Sequence, residues 1–234
     1  MKPPDPKQDP PEQLVLPIAE APSLQREDLV VSDANRAAIH LIDTWPDWIS
    51  PVSMIVGDPG AGKTHILTAW RSLTGATLFQ DTNLKTAVTA AQAGAHVAID
   101  DLAISPANET VLFHLINAVR QAGTTLFATG RNAPDLAAIV TPDLASRLRA
   151  ATIIAIEPPD DDLLRGVMVK LFADRQLAVD DGVIDYAIAR MARTLRAATE
   201  LVAELDTASM ARKRRVSTAL VREVLQRHPP QLEF

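Results

Sequence analysis

Nine consecutive residues, Gly57, Asp58, Pro59, Gly60, Ala61, Gly62, Lys63, Thr64 and His65, carry the clearest chemistry in the sequence. Gly57, four intervening residues and then Gly62-Lys63-Thr64 complete the G-x-x-x-x-G-K-[ST] pattern of a phosphate-binding loop. Glycines let the backbone curl so that successive N–H groups point inward, and a following helix N-terminus adds its dipole to hold an anion. Lys63 is placed to reach the outer phosphates and the Thr64 hydroxyl to hold Mg²⁺. Such a site needs a carboxylate at the end of a neighbouring buried strand. The stretch HVAIDDL supplies Asp100 as the Mg²⁺ partner and Asp101 to position or deprotonate an attacking water. Without the loop about forty residues earlier, an Asp-Asp pair would read as a plain turn or helix cap.

Positioning these groups requires a strand before each and a helix after the loop, and the texture of the chain provides them. VSMIVGD reads as a strand and KTHILTAWRSL as a helix; HVAIDD reads as a strand and ETVLFHLINAVRQA as a helix. TTLFATG and ATIIAI are strands on either side of the helical PDLASRLRA. Ahead of them SDANRAAIHLIDTW has helical spacing, with Ser32 and Asp33 as candidate N-caps. Strands alternating with helices predict a parallel sheet sandwiched by helices, over residues 24–157. Beyond Pro159 four amphipathic helical stretches follow, predicting a small all-α subdomain over 158–234. Residues 1–23 hold seven of the 17 prolines, a density that predicts an extended, mobile tail.

Composition narrows the classes. The absence of cysteine excludes disulfides, thiolate chemistry and Cys-zinc sites. No apolar run approaches the roughly 20 residues of a membrane span, and the N-terminus has no apolar core like a signal peptide. The expectation is a soluble, cytoplasmic protein. A net charge of −6 argues against a surface built throughout to grip nucleic acid. One basic run, Arg212-Lys213-Arg214-Arg215, interrupts that balance. It reads either as a nucleic-acid contact or as the basic end of a helix that complements the dipole.

The order of these motifs carries a resemblance. The phosphate loop, IDDL, the helix from Phe113 to Asn117 (FHLIN), LFATG and LASRLRA follow one another as in the AAA+ region of DnaA, over about residues 24–228. The chain resembles bacterial replication initiators and, among them, the shortened relatives of the Hda type. The resemblance implies a P-loop AAA+ core with a helical lid that binds ADP or ATP with Mg²⁺. It matches Thr129 to the sensor 1 polar residue that feels the γ-phosphate. Arg147 corresponds to the arginine finger that reaches a neighbour's nucleotide, and Arg196 to the sensor 2 arginine of the lid. Arg149 and Arg193 are their nearest competitors in the sequence.

The same resemblance gives meaning to QLVLP in the tail. Proteins of this kind hold the polymerase sliding clamp through an N-terminal peptide close to Gln-Leu-x-Leu-Pro. Here Gln13 is expected at the pocket rim, Leu14 and Leu16 as apolar anchors, and Pro17 as a stiffener. An initiator continues past its lid into a helix-turn-helix domain, whereas this sequence stops at Phe234. DNA contact is therefore expected to be indirect, through the clamp. The resemblance thus implies a negative regulator of initiation that stimulates ATP hydrolysis on DnaA through Arg147. Intrinsic ATPase activity and self-association stay open. The rival from another class is a self-contained ATPase of the helicase-loader type, and a third reading is a module that binds single-stranded DNA directly.

Overall fold

A computed structural model describes residues 25–212 and 214–227. QLVLP, with the expected clamp-contact residues Gln13, Leu14, Leu16 and Pro17, lies outside the described residues, as does Lys213. Five strands form one parallel sheet: β1 (Val52–Val56), β2 (Thr77–Phe79), β3 (Val97–Ile99), β4 (Leu126–Gly130) and β5 (Thr152–Ala155), in the spatial order β2-β3-β4-β1-β5. β1 lies between β4 and β5, with Ile55 opposite Thr129 on one side and Ile154 on the other. β3 pairs with the far side of β4, Ile99 against Ala128. Strands so ordered place the loops after β1, β3 and β4 side by side at one end of the sheet, where α/β proteins build their sites.

Because side chains alternate along a strand, each one feeds two cores. Met54 and Val56, Val97 and Ile99, and Leu126 and Ala128 face α3 (Leu84–Gln92), α4 (Glu109–Ala122) and α5 (Pro142–Arg149). Ile55, Ala98 and Phe127 face α1 (Arg36–Asp43) and α2 (Lys63–Thr74). On that second face Trp70 is fully buried, stacked on Trp48 at 5.6 Å and edge-on to Phe127 at 5.3 Å. The three tryptophans and Phe127 are thus gathered where helix α2 must be held firmly against the sheet. α2 and α4 both end on a left-handed glycine, Gly75 and Gly123, which no residue with a Cβ adopts as readily.

Four helices follow: α6 (Asp161–Asp174), α7 (Asp181–Ile188), α8 (Leu195–Arg212) and α9 (Thr218–Arg227). They enclose a third core that includes Leu164, Met168, Phe172, Ile184, Val202, Leu205 and Val221. Asp160 caps α6 by accepting the Leu163 N–H at 2.7 Å, and Asp161 and Asp162 complement the dipole in its first turn. Among the described residues no strand occurs after β5, and no helix is long and apolar enough to cross a membrane.

Two details differ from the sequence reading. Neither Ser32 nor Asp33 caps α1: Asn35 holds the N-cap position, and its side chain turns back to accept the Ser32 N–H and donate to the Val30 carbonyl. The asparagine thereby ties down the segment before the helix instead of the helix itself. β2 and α3 were not anticipated. β2 is a three-residue edge strand with Thr77 and Leu78 exposed, so it carries neither an apolar run nor a clean alternation.

Candidate nucleotide site

The loop from Gly57 to Thr64 leaves the buried strand β1 and enters α2 directly. Gly60 and Gly62 have φ of +80° and +95°, conformations that curl the loop and that L side chains adopt only at a cost. A Cβ on Gly60 would meet the Thr194 Cβ at 3.0 Å, and one on Gly62 the Leu195 Cδ1 at 2.9 Å. The start of α8 therefore presses on the loop, and the Leu195 N–H donates to the Gly60 carbonyl at 3.1 Å. Lid and loop are one structural unit at this point. Lys63 folds over the loop, its Nζ donating to the carbonyls of Gly57 at 2.6 Å and Asp58 at 2.8 Å. Burial pulls the Lys63 ammonium below its ordinary pKa, and the carboxylates of Asp101, Asp100 and Asp58 partly offset the pull.

Three hydroxyl and carboxylate groups from three elements meet beside it. Thr64 Oγ1 donates to Asp100, 3.0 Å from one oxygen and 3.2 Å from the other. Thr129 Oγ1, fully buried at the end of β4, donates to Asp100 Oδ1 at 2.6 Å and accepts the Asp101 N–H at 2.8 Å. The sheet order explains the bridge: β4 lies between the strands that carry the loop and Asp100, so a polar residue at its end can touch both neighbours. Asp101, at φ 52°, turns its carboxylate outward to Arg131 Nε at 3.7 Å.

A cavity of about 110 Å³ lies between core and lid. Ala61, Gly62 and His65 of the loop and α2, Asp28 to Val30, Leu163, Val167 and Lys170 of α6, and Leu195 and Thr199 of α8 line it. Its walls are mostly apolar with a few polar groups, as small-molecule sites are. His65 Nε2 is buried there with no hydrogen-bond partner among the described residues, and burial lowers the His65 pKa. Lys170 bridges Asp28 at 2.6 Å and Asp174 at 3.2 Å, tying α6 to the segment before α1.

Two predicted residues stand apart from this group. Arg147 lies at the end of α5, its guanidinium carbon 5.3 Å from the Phe113 ring centroid on α4 and its Nε buried without a partner. No carboxylate among the described residues pairs with it. Arg149 is exposed on the same turn. Arg196, in the first turn of α8 next to Leu195, pairs with Glu200 at 2.7 Å. Arg193 instead pairs with Asp161 at 2.6 Å, closing the start of the lid on itself.

Sequence reading missed Glu109. It is 3% exposed and accepts the N–H groups of Val140 and Thr141 at 3.0 and 2.8 Å, so α4 holds the start of α5, the helix of Arg147. Those bonds, Val140 foremost, hold its carboxyl below the usual range. In the sequence Glu109 is indistinguishable from any acid in a first helical turn. Thr194 and Leu195 gave no signal either.

The site tests well for an adenine nucleotide and Mg²⁺. The curled glycine loop runs straight into the N-terminus of α2, where backbone N–H groups suit an anion, and an orphaned imidazole nitrogen lines a cavity beside it. One carboxylate and one hydroxyl suit Mg²⁺, which takes few protein ligands and completes its shell with phosphates and water.

A parallel sheet of this order, a glycine-lysine-threonine loop and a helical lid pressed on that loop define a P-loop protein of the AAA+ class. Residues 164–225 match the family model described as "Hda, lid domain". The fold is similar to domain III of the replication initiation protein DnaA from Thermotoga maritima (TM-score 0.71, 18% identity, 88% of this chain and 97% of that one). AMPPCP-bound DnaA from Aquifex aeolicus (TM-score 0.65, 17% identity, 82% and 70%) and a RuvB variant from Thermotoga maritima (TM-score 0.68, 15% identity, 87% and 72%) share it as well. An uncharacterized protein of Haemophilus influenzae is 27% identical over 192 residues, 76% of this chain and 83% of its own length. The chain thus carries a lid that matches the Hda lid model, on a core that shares the fold of DnaA domain III.

Proposed function

We propose that this protein is a negative regulator of replication initiation that acts in the cytoplasm by stimulating ATP hydrolysis on DnaA. The observation that carries the reading is the Hda-type lid over residues 164–225. In this account the chain holds adenine nucleotide, ADP by preference, in the cavity between core and lid. The loop N–H groups and Lys63 bind its phosphates, Thr64 and Asp100 hold Mg²⁺, and Thr129 orients Asp100. Bound Mg²⁺ supplies charge neutralisation at the phosphate oxygens. Arg196 at the start of α8 reaches the same nucleotide, so lid closure and nucleotide binding are linked.

Arg147 acts in trans. A guanidinium that no carboxylate among the described residues neutralises, held over an aromatic ring at the end of a helix, suits insertion at a partner's γ-phosphate, because it is permanently charged and forks onto oxygens. Fingers of this kind accelerate hydrolysis by about 10³–10⁵ in other NTPases. The consequence is conversion of ATP-bound DnaA to its ADP form. The tail tethers the protein to a DNA-loaded sliding clamp through Gln13, Leu14, Leu16 and Pro17. Burying two leucines offers ~3–6 kcal/mol before ordering costs, which suits micromolar affinity.

One observation favours a second reading. The loop, Thr64, Asp100 and Thr129 form a complete site of their own, as a self-contained ATPase of the helicase-loader type requires. Clamp binding separates the two. Wild type is expected to bind purified clamp, and a Gln13→Ala, Leu16→Ala double variant is expected not to bind. If both bind equally, or neither does, the tether is refuted and the loader reading gains.

A further inference from the structure

The charge of the chain is distributed unevenly. From Thr207 to Arg227 the sequence holds six cationic residues against the single carboxylate Glu223, in a protein whose net charge is −6. A structural explanation exists for two of the six. Arg212, at the end of α8, and Arg227, at the end of α9, both pair with Glu223, and both complement a helix C-terminus. Once they are satisfied, no acid remains in this stretch for the others. Arg214 and Arg215 lie in the connection between α8 and α9 and are exposed, with no carboxylate partner among the described residues. That connection is fixed: buried Ser209 donates its hydroxyl to the Arg214 carbonyl at 2.5 Å, and its own carbonyl accepts the Arg214 N–H at 3.2 Å.

Two further arginines of the lid, one on α9 and one just after α7, flank a single tyrosine. Tyr186 of α7 is flanked by two guanidinium groups: the Arg190 carbon sits 3.8 Å from its ring centroid and the Arg222 carbon 5.9 Å. Arg222 donates Nε to the Tyr186 hydroxyl at 3.1 Å, and Arg190 donates to the Tyr186 carbonyl at 3.3 Å. Neither has a carboxylate partner among the described residues. The hydrogen bond from Arg222 and the charge of both arginines lower the Tyr186 pKa, which marks the local field as positive. The tyrosine acts as a stand that holds two long cationic side chains in place, reducing the entropy they lose when an anion binds.

We propose that Arg190, Arg222, Arg214 and Arg215 of the lid together bind the phosphate backbone of duplex DNA without reading sequence. Duplex DNA is the occupant because it offers a continuous row of singly charged phosphates on a rigid surface, matching guanidinium groups carried by α9, the turn after α7 and the fixed connection between α8 and α9. Among the described residues the aromatic ring beside these arginines, Tyr186, is covered by Arg190, so single strands gain no stacking from it. The site is separate from the P-loop and does not depend on the regulator reading. It adds a direct, weak DNA contact to whatever tether the tail provides.

The test is fluorescence anisotropy of a labelled duplex of arbitrary sequence, titrated with the full chain, with ADP and Mg²⁺ in excess to keep phosphates out of the P-loop. Four contacts predict a slope of about −3.6 in log K against log salt, so raising salt fourfold weakens binding roughly a hundredfold. Arg214→Ala with Arg215→Ala, outside any helix, is expected to weaken binding at least tenfold at low salt. Arg190→Gln with Arg222→Gln is expected to do the same, with its melting curve checked because Tyr186 loses its partners. Single strands of equal length and polyglutamate are expected to bind more weakly than duplex. The proposal is overturned by no binding at low salt, by affinity unchanged in the Arg214, Arg215 variant, or by polyglutamate binding as tightly as DNA.

Discussion

Thr129→Val isolates the polar bridge at the heart of the site. Valine matches threonine in volume, so the fully buried position keeps its packing and loses only the hydroxyl. Two bonds disappear: the donor to Asp100 Oδ1 at 2.6 Å and the acceptor for the Asp101 N–H at 2.8 Å. A hydrogen bond to a charged group contributes about 1.5–3 kcal/mol, and a stranded buried N–H costs about 1–3 kcal/mol. We expect a loss of about 3 kcal/mol, which for a chain of this size lowers the melting temperature by roughly 6–12 °C. Thr129→Ser keeps both bonds and removes one methyl, for about 1 kcal/mol and roughly 2–4 °C. Differential scanning calorimetry of the three proteins reads the difference. Equal losses for valine and serine would refute the reasoning, because they would show that the methyl, and not the bridge, holds the end of β4. In the same series, Mg²⁺-dependent nucleotide affinity should fall for valine alone, since only there is Asp100 left unoriented.

Two further perturbations probe the lid. Gly62→Ala forces a residue with a Cβ into φ +95° and pushes it to 2.9 Å from Leu195 Cδ1. The steric part is relieved by the flexible leucine tip, but the backbone strain is worth about 1–3 kcal/mol. Titration with a fluorescent ADP analogue is expected to show affinity at least tenfold weaker, and unchanged affinity would mean the lid does not rest on the loop. Glu223 tests the second half of the lid by pH: hydrogen bonding from Arg212, with help from Arg227, lowers its pKa from 4.5 to about 2. A carboxylate depressed on folding contributes stability that is present above 4.5 and lost as pH falls toward 2. Glu223→Gln should therefore show a flatter acid limb than wild type in that window, and parallel curves in chemical denaturation would contradict the assignment.

Much of this architecture is legible before any coordinates, and the reasons are local. The span ETVLFHLINAVRQA coincides with α4, Glu109–Ala122, because helical spacing ends at a glycine that takes the left-handed conformation. β1 and β4 are buried along their whole length, so they read as mostly apolar runs, broken only by Ser53 in the first and by Thr129 and Gly130 in the second. The phosphate loop is readable because its chemistry demands a fixed spacing on consecutive residues. What stays hidden depends on contacts between distant segments. Glu109 reaches across to Val140 and Thr141, and Thr194 and Leu195 touch glycines more than a hundred residues earlier. α7 ends at Ile188, short of the apolar pattern that continues to Met191, because the chain there turns to aim α8 at the loop. Arg193 and Arg196 look alike in sequence and separate only once Asp161 is seen to engage the first of them.

The central claim concerns whose ATP is consumed, and hydrolysis of radiolabelled ATP preloaded on DnaA tests it most directly. Wild-type protein, with clamp loaded on DNA, should accelerate that hydrolysis. Arg147→Ala should abolish the acceleration while leaving the protein's own nucleotide affinity and melting temperature near wild type, since Arg147 has no carboxylate partner among the described residues to lose. If Arg147→Ala stimulates DnaA as well as wild type does, or if ATP turnover needs Lys63 of this chain and proceeds without DnaA, the trans mechanism is wrong and the protein runs an ATP cycle of its own.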